Sequence, residues 1–385
     1  MKKIKFGLLP RILVAIVLGV ALGGVMPEWG IRVFLTFNGL FSQLLGFLIP
    51  LIIVGMVIPA IADIGRGAGR MLLYTVLLAY ASTIVAGLAS YFTGALTFPS
   101  IIDSAVSLDV AAETAKLTPY FTVEIAPLMS VMTALVLAFM VGLGLAYLKG
   151  DALRNVAKDF GDLVTMTIES VIIPLLPLYI FGIFLDMTAA GEVMRVIGVF
   201  IKIIGVIFVL HIVWLVLLYC VSGAVSKRNP FKMLATMLPA YFTALGTQSS
   251  AATIPVTLEQ SRKMGVSDEV SGFVIPLCAT IHMSGSMLKI VACAMALMLM
   301  QGIAFDFGTF FGFICMLAIT MVAAAGVPGG AIMAALGVLA TMLGFTAEDQ
   351  ALMISLYIAM DSFGTACNVT GDGALAAIMD RINNK

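Results

Sequence analysis

The sequence predicts an all-α polytopic membrane protein, and three observations support this fold class. Hydrophobic residues make up 61% of the 385 residues and charged residues only 11%, whereas charged residues are about a quarter of a typical soluble protein. Several apolar runs exceed the length of roughly 18 residues that suffices to cross a bilayer. The basic residues also lie mainly between these runs, on one predicted side of the membrane.

The apolar segments are interpreted as eight transmembrane helices. They cover residues 10–27, 34–62, 71–98, 121–148, 162–186, 196–222, 268–300 and 347–378. With the N-terminus inside, 16 of the 21 Lys and Arg are cytoplasmic: Lys2, Lys3, Lys5, Arg11, Arg66, Arg70, Lys149, Arg154, Lys158, Lys227, Arg228, Lys232, Arg262, Lys263, Arg381 and Lys385. The positive-inside rule therefore predicts that both termini are cytoplasmic.

Two features of the sequence have a second interpretation. The first segment, "MKKIKFGLLPRILVAIVLGVALGG", has the basic start and apolar run of a signal peptide. We interpret it as a transmembrane helix, because no periplasmic domain follows it. The five cysteines are scattered through apolar stretches without paired spacing. They therefore predict small buried side chains, and neither a disulfide framework nor a metal site.

The second half of the chain departs from continuous spans in four places. Residues 233–262 form two short apolar arms around "GTQSSAA" (246–252), and residues 308–344 are interrupted by "GVPGG" (326–330). The last two spans are interrupted by "HMSGS" (282–286) and "NVTGDG" (368–373). Irregular backbone at membrane depth persists only where it lines a cavity or contacts protein.

Two re-entrant hairpins alternating with two broken helices predict inverted repeats around a transport site near the membrane midplane. The N-termini of half-helices would offer N–H groups to an anionic ligand group, and unwound carbonyls would surround a cation. The alternative is that Gly and Ser at these interruptions only allow close helix packing.

The same motifs resemble the glutamate transporter homologue family, the dicarboxylate/amino acid:cation symporters. "SSAATIPVT" (249–257) resembles the serine-rich first hairpin, and "PLCATIHMSGS" (276–286) is similar to the helix 7 motif PLGATINMDGT. "GVPGG" resembles the tip of the second hairpin, and "DSFGTACNVTGDG" (361–373) resembles the helix 8 motif D-x-x-R-T-x-x-N-V-T-G-D. The stretch 47–64 is similar to the second helix of the family. The resemblance covers essentially the whole chain.

The resemblance implies a homotrimer with scaffold and transport domains that works by alternating access. Residues 1–70 would be scaffold helices 1 and 2, and residues 71–98 would be helix 3 on the transport-domain side. Residues 99–222 would be helices 4 to 6, mostly scaffold. Residues 223–385 would form the core transport domain, with hairpin 1 (233–262), helix 7 (268–300), hairpin 2 (308–344) and helix 8 (347–378).

The resemblance also implies a binding site. Asp361 matches the family aspartate that holds the substrate amino group, and Asn368 matches an asparagine near the substrate carboxylate. The expected substrate-binding residues are Ser249, Ser250, Ser286, Lys289, Gly326, Val327, Asp361, Gly364 and Asn368. Asp372 matches a sodium-ligating aspartate. The expected Na⁺ site consists of Asp372 and Asn368 with the backbone carbonyls of Cys278 and His282, since oxygen ligands suit a hard cation.

Several positions depart from the family pattern. Gly364 stands where the family has an arginine that pairs with an acidic substrate side chain, and Lys289 replaces the tyrosine that approaches this arginine. His282 and Ser284 replace the Asn and Asp of the helix 7 motif, so an inner sodium site is expected to be absent.

Two of these departures leave alternatives open. Lys289 could restore the missing charge, stand in for a bound cation, or form a salt bridge with Asp361. His282 could carry a proton, as an imidazole does near neutral pH, or only hydrogen-bond unwound backbone.

We therefore expect a secondary active transporter, and not an enzyme, that moves a small amino acid or dicarboxylate and is driven by a Na⁺ or H⁺ gradient or both. No covalent cofactor and no nucleic acid partner are expected. The expected location is the cell membrane, the inner one in a prokaryote. A passive anion or solute channel, or an uncoupled exchanger on the same fold, is the alternative. An intramembrane enzyme is disfavoured because the sequence has neither an HExxH nor a GxSxG motif.

Overall fold

The computed structural model describes residues 8–66, 70–102, 117–191, 193–321 and 329–383. These residues form helices and their connections, without a β-strand in the described ranges. The helices are α1 (Leu8–Gly23), α2 (Glu28–Arg66), α3 (Arg70–Ile101), α4 (Val131–Tyr147), α5 (Ala152–Thr167), α6 (Ile173–Ala189), α7 (Val193–Ser226), α8 (Pro230–Thr247), α9 (Ser250–Lys263), α10 (Asp268–Ile281), α11 (Ser284–Met300), α12 (Phe307–Met321), α13 (Gly330–Leu343), α14 (Ala347–Ala359) and α15 (Asp361–Asn383). A π-helical turn, Ile168–Ile172, joins α5 to α6.

The all-α polytopic class is confirmed. Five segments in the described part of the chain are long and apolar enough to cross a bilayer, namely α2, α3, the run from α5 to α6, α7, and the run from α10 to α11. The pair α14 and α15, bent by 63°, makes a sixth if it is one span. The other two predicted spans, α1 and α4, have 16 and 17 residues. Helices of that length reach roughly 25 Å at 1.5 Å per residue, slightly less than the hydrocarbon core. The count of eight therefore stays a prediction.

The helices divide into an outer set and a central set by what they bury. Large apolar side chains are exposed along α3 and α7, among them Leu77, Leu96, Ile201 and Val221. Lipid is the environment in which such exposure is ordinary, because hydrocarbon solvates apolar side chains. By contrast, α11 and α15 are buried along almost their whole length, with α3 and α7 packed against both. Polar residues on α11 and α15 therefore lie inside the protein.

The interruption predicted at residues 282–286 is confirmed. Helix α10 ends at Ile281, His282 and Met283 have non-helical backbone angles, and α11 begins at Ser284. The break frees N–H groups in the first turn of α11, which need partners from elsewhere in the protein.

The interruption predicted at residues 368–373 is wrong. Helix α15 runs without a break from Asp361 to Asn383, and the chain bends earlier, at Met360 between α14 and α15. The glycines of this stretch serve close packing instead. A Cβ atom at Gly371 would lie 2.7 Å from Cε1 of His282, and one at Gly373 would lie 2.7 Å from Cε of Met237. Small residues at such positions let helices approach closely.

Two helix pairs correspond to the predicted hairpins. Helices α8 and α9 pack against each other and against α15. Gln248, with a left-handed φ of 53°, makes the turn between them, and Ser249 caps α9 by accepting from the N–H of Ala252 at 3.2 Å. Helices α12 and α13 also pack together, but residues 322–328 between them lie outside the described residues. Whether either pair is re-entrant stays a prediction.

Candidate functional site

The break before α11 is closed by a side chain from α15. The Oδ1 atom of Asn368 accepts from the N–H of Gly285 at 2.7 Å and from the N–H of Ser286 at 3.3 Å. Its Nδ2 atom donates to Oγ of Ser286 at 3.2 Å. Asn368 therefore acts as a cap supplied from another helix, because it satisfies backbone donors that the first turn leaves free.

A buried ion pair lies one turn further along α11. The Nζ atom of Lys289 is 3.1 Å from Oδ1 of Asp361, the first residue of α15. The lysine side chain is 0% exposed and the aspartate side chain 4%. The ammonium also lies 3.5 Å from the centre of the Tyr357 ring, a position in which the ring face attracts a cation. Of the three alternatives for Lys289, the structure thus shows the salt bridge with Asp361.

The same carboxylate reaches the start of α13. The Oδ2 atom of Asp361 accepts from the N–H of Gly329 at 2.9 Å. Gly329 precedes α13 with a φ of 78°, a left-handed value that glycine adopts without steric cost. One carboxylate therefore joins α11, α15 and the second helix pair at a single point.

Because Gly364 has no side chain, the end of Lys289 fits beside it. A Cβ atom at Gly364 would lie 2.5 Å from Nζ of Lys289, which is too close for any side chain. An arginine at position 364 is therefore incompatible with the observed position of the lysine. A side chain at position 364 and the lysine in its observed position therefore exclude each other.

A second buried pair involves the residue that ends α10. The Nδ1 atom of His282 is 2.9 Å from Oδ1 of Asp372, and these side chains are 0% and 1% exposed. The Nε2 atom of the same ring is 3.0 Å from Oγ of Ser82 on α3. The interpretation of His282 as a partner of unwound backbone is wrong, because its ring nitrogens contact two side chains.

The other predicted residues lie around these two pairs. The carbonyl of Cys278 accepts from the N–H of His282 at 2.8 Å as the last helical bond of α10. Ser249 and Ser250 begin α9, and the neighbouring Gln248 donates to Oγ of Ser362 at 2.8 Å, which brings this turn to the start of α15. Gly326 and Val327 lie outside the described residues.

Three side chains at the site were missed by the sequence reasoning. Tyr357 shares a 3.0 Å hydrogen bond with Ser286 through its hydroxyl. Nε2 of His211, on α7, donates to the carbonyl of Gly285 at 3.0 Å, and Ser82 holds the ring of His282. The signal was present for His211, since a buried histidine in a long apolar helix is uncommon and marks a functional position.

A groove elsewhere on the molecule does not contain these residues. It has a volume of about 710 Å³ and lies between α3 and α7, where Thr97, Lys202 and Val209 contribute to its lining. None of the predicted substrate-binding residues lines it. The buried cluster around Lys289 and Asp361 is therefore the candidate site.

Comparison with known proteins identifies the family of the chain. The model of the sodium:dicarboxylate symporter family matches residues 8–382. The chain belongs to this family. The resemblance found in the motifs is thereby confirmed, and this symporter family is one of transporters, not enzymes.

Individual relatives of the chain are excitatory amino acid transporters. Excitatory amino acid transporter 2 of Homo sapiens is 34% identical over 168 residues, which are 43% of this chain and 29% of the relative. Excitatory amino acid transporter 1 of Bos taurus is 30% identical over 240 residues, 61% of this chain and 44% of the relative. An excitatory amino acid transporter of Caenorhabditis elegans is 32% identical over 155 residues, 40% and 31% of the two chains. The chain spans less than half of the length of each of these relatives.

Proposed function

We propose that this protein is a secondary active transporter that moves a small amino acid or dicarboxylate across the membrane by alternating access. The observation that carries the proposal is the buried pair of Lys289 and Asp361. Burying two charges costs several kcal/mol per ion, and an intramembrane ionisable residue marks a functional site by default. The name of the family, sodium:dicarboxylate symporter, agrees with this function.

The substrate is proposed to bind around this pair. Lys289 pairs with Asp361 at the start of α15, and Asn368, two turns further along α15, bonds Ser286. Tyr357 connects the two pairs, because its hydroxyl bonds Ser286 and its ring lies against the lysine ammonium. Lysine offers a positive charge to a carboxylate, and aspartate offers a negative charge to an ammonium group. The remaining proposed members of the site are Ser249 and Ser250 at the α8–α9 turn, Gly326 and Val327 before α13, and Gly364, which leaves room beside the lysine.

Transport is proposed to be coupled to a cation gradient of Na⁺ or H⁺ or both. A coupling ion can drive uptake only if it binds one conformational state more tightly than the other. The predicted Na⁺ ligands are Asp372, Asn368 and the carbonyls of Cys278 and His282. Their role stays a prediction. Oδ1 of Asp372, Oδ1 of Asn368 and the carbonyl of Cys278 already have hydrogen-bond partners within the protein.

The proposed architecture has eight spans and two re-entrant hairpins, with both termini cytoplasmic. Helices α1, α2, α4, α5 and α6 pack largely on one another, which supports a scaffold role for them in a homotrimer. Helices α3 and α7 pack on α11 and α15. We therefore place α7, predicted with the mostly scaffold residues 99–222, with the transport domain. The lipid bilayer and the small-molecule substrate are the other proposed partners.

The test is exchange of labelled substrate by the full chain in proteoliposomes. A carrier gives saturable uptake that unlabelled substrate inside the vesicle accelerates, and one acidic amino acid, one neutral amino acid and one dicarboxylate are compared. The variant D361N removes the charge at the proposed site. The matched control D380N changes another buried carboxylate of α15, which pairs with Arg228 at 3.2 Å.

The expected result is exchange in the wild type and in D380N but not in D361N. Flux that rises linearly with concentration and ignores internal substrate would identify a channel instead. Equal exchange by D361N and D380N would remove Asp361 from the substrate site.

A further inference from the structure

The buried carboxylates of the described residues all have partners within the protein. They belong to four aspartates. The contacts are Asp349 with Gln301, Asp361 with Lys289, Asp372 with His282, and Asp380 with Arg228. In a protein that couples transport to a cation, a buried carboxylate is the group best suited to hold the ion. The partners of these aspartates therefore bear directly on where an ion can bind.

The contact of His282 with Asp372 is the most enclosed of the four. Both side chains are almost completely buried. The ring is held at its second nitrogen by Ser82, and its Cε1 atom lies close to the backbone of α15 at Gly371. With both nitrogens engaged and α15 against its edge, the ring is fixed in place.

The imidazole occupies the approach to Asp372 that a cation would use. Hard cations sit about 2.3–2.6 Å from their oxygen ligands, and the Nδ1 atom is 2.9 Å from Oδ1 of the aspartate. A ring N–H directed at this oxygen excludes a positive ion from the same side. The second oxygen of the carboxylate alone would not make a cation site, since such ions need several oxygen ligands.

The other predicted ligands do not complete a site either. Oδ1 of Asn368 accepts two backbone N–H groups of α11, and the carbonyl of Cys278 accepts the N–H of His282. A carbonyl oxygen has two lone pairs and could also contact an ion, but these oxygens make no cation site without the Asp372 oxygen that the imidazole covers. With His282 in this position, the residues present therefore do not fit Na⁺ at Asp372.

We propose that the side chain of His282 takes the place of a coupling Na⁺ at Asp372, so that this carboxylate does not bind Na⁺ in the native chain. The proposal rests on the proposed function, cation-coupled transport, and specifies one part of it. The proposal also gives a physical reason for histidine at position 282, where the helix 7 motif of the family has asparagine. The imidazole is a covalently attached partner of Asp372, so no ion gradient is needed to place it there.

The test measures ion binding without transport. The thermal unfolding midpoint of the purified full chain in detergent is followed as Na⁺ replaces K⁺ at constant ionic strength, with no substrate present. Wild type, D372N, H282N and H282N/D372N are compared. His211, the other buried histidine, contacts Gly285 and provides the control variant H211N.

The wild type and D372N should respond equally to Na⁺, which supports the proposal even if an ion binds elsewhere in the protein. H282N should gain a Na⁺-dependent rise of about 3 °C or more, since an ion that binds only the folded state stabilises it. The rise should be absent from H282N/D372N, and H211N should respond like the wild type.

Two results would overturn the proposal. One is a Na⁺ response of the wild type that D372N abolishes, and the other is a folded H282N that gains no response. If H282N does not yield folded protein, H282A removes the ring as well, and the comparison of wild type with D372N still decides. A failure of transport would leave these midpoints unchanged, so it is distinguishable from a failure of this proposal.

Discussion

The ammonium of Lys289 and the carboxylate of Asp361 form a 3.1 Å ion pair inside the protein, between the second turn of α11 and the first residue of α15. Both side chains are buried, so bulk solvent does not replace a lost partner. Removing one member of such a pair leaves a buried charge uncompensated, which costs more than the pair itself contributes to stability.

The first prediction concerns this asymmetry. K289M should lower the free energy of unfolding by about 3–5 kcal/mol, and K289M/D361N should recover a large part of the loss, because no buried charge is then left alone. Denaturant titration in detergent of the wild type, both single variants and the double variant measures the coupling. The exposed pair of Lys263 and Glu259 supplies the control K263M, which should behave like the wild type. A K289M variant as stable as the wild type would contradict the ion pair.

The second prediction concerns ligand choice. K289M should weaken binding of an acidic amino acid by about 2–5 kcal/mol, the loss expected when a buried charged partner is left unpaired. Binding of a neutral amino acid should change less. Titration calorimetry with one ligand of each kind measures both losses. Equal losses would instead mean that Lys289 stands in for a bound cation, and no loss would restrict it to its contact with Asp361.

The third prediction concerns Gly364. G364A should destabilise the protein by about 1–3 kcal/mol, since even a methyl group there overlaps the end of Lys289. G364R should cost more, because it adds a second buried cation. Removing the lysine in K289M/G364R should restore stability relative to G364R, as judged by unfolding midpoints of the three variants. If G364R is tolerated beside Lys289, the lysine does not occupy the space described.

The fourth prediction concerns the cap on α11. N368A should destabilise the protein by about 2 kcal/mol, because two backbone N–H groups of the first turn lose their acceptor. S355A is the control, since this buried hydroxyl bonds only within its own helix, to Ala351. Hydrogen exchange of the Gly285 and Ser286 amides should accelerate in N368A alone. Unchanged exchange of these amides in N368A would show that their N–H groups have an acceptor other than Asn368.

Composition and motif order were enough to predict the helical class, the break at His282 and the family. A salt bridge between Lys289 and Asp361 was also one of the three roles that the sequence suggested for the lysine. These features depend on local sequence, because a run of apolar residues or a Gly-Ser cluster acts over one or two turns of helix.

The remaining features depend on contacts that join distant elements. Ser82 and His282 meet from positions 200 residues apart, and helical periodicity does not indicate which helices face each other. The continuous course of α15 was missed for a different reason. A glycine that permits unwinding and a glycine that permits close packing look the same in a sequence. Only the structure distinguishes them here, because it places His282 beside Gly371 and Met237 beside Gly373.

The carboxylate of Asp361 has two partners, the ammonium of Lys289 and the N–H of Gly329. A ligand that draws the ammonium away leaves more negative charge for the Gly329 N–H, and so tightens the contact with the start of α13. Movement of α13 away from α15 has the opposite effect and returns the carboxylate to the lysine. By thermodynamic linkage the two effects are equal in size. A ligand changes the equilibrium constant between two positions of α13 by some factor, and its affinity for the protein differs between these positions by the same factor.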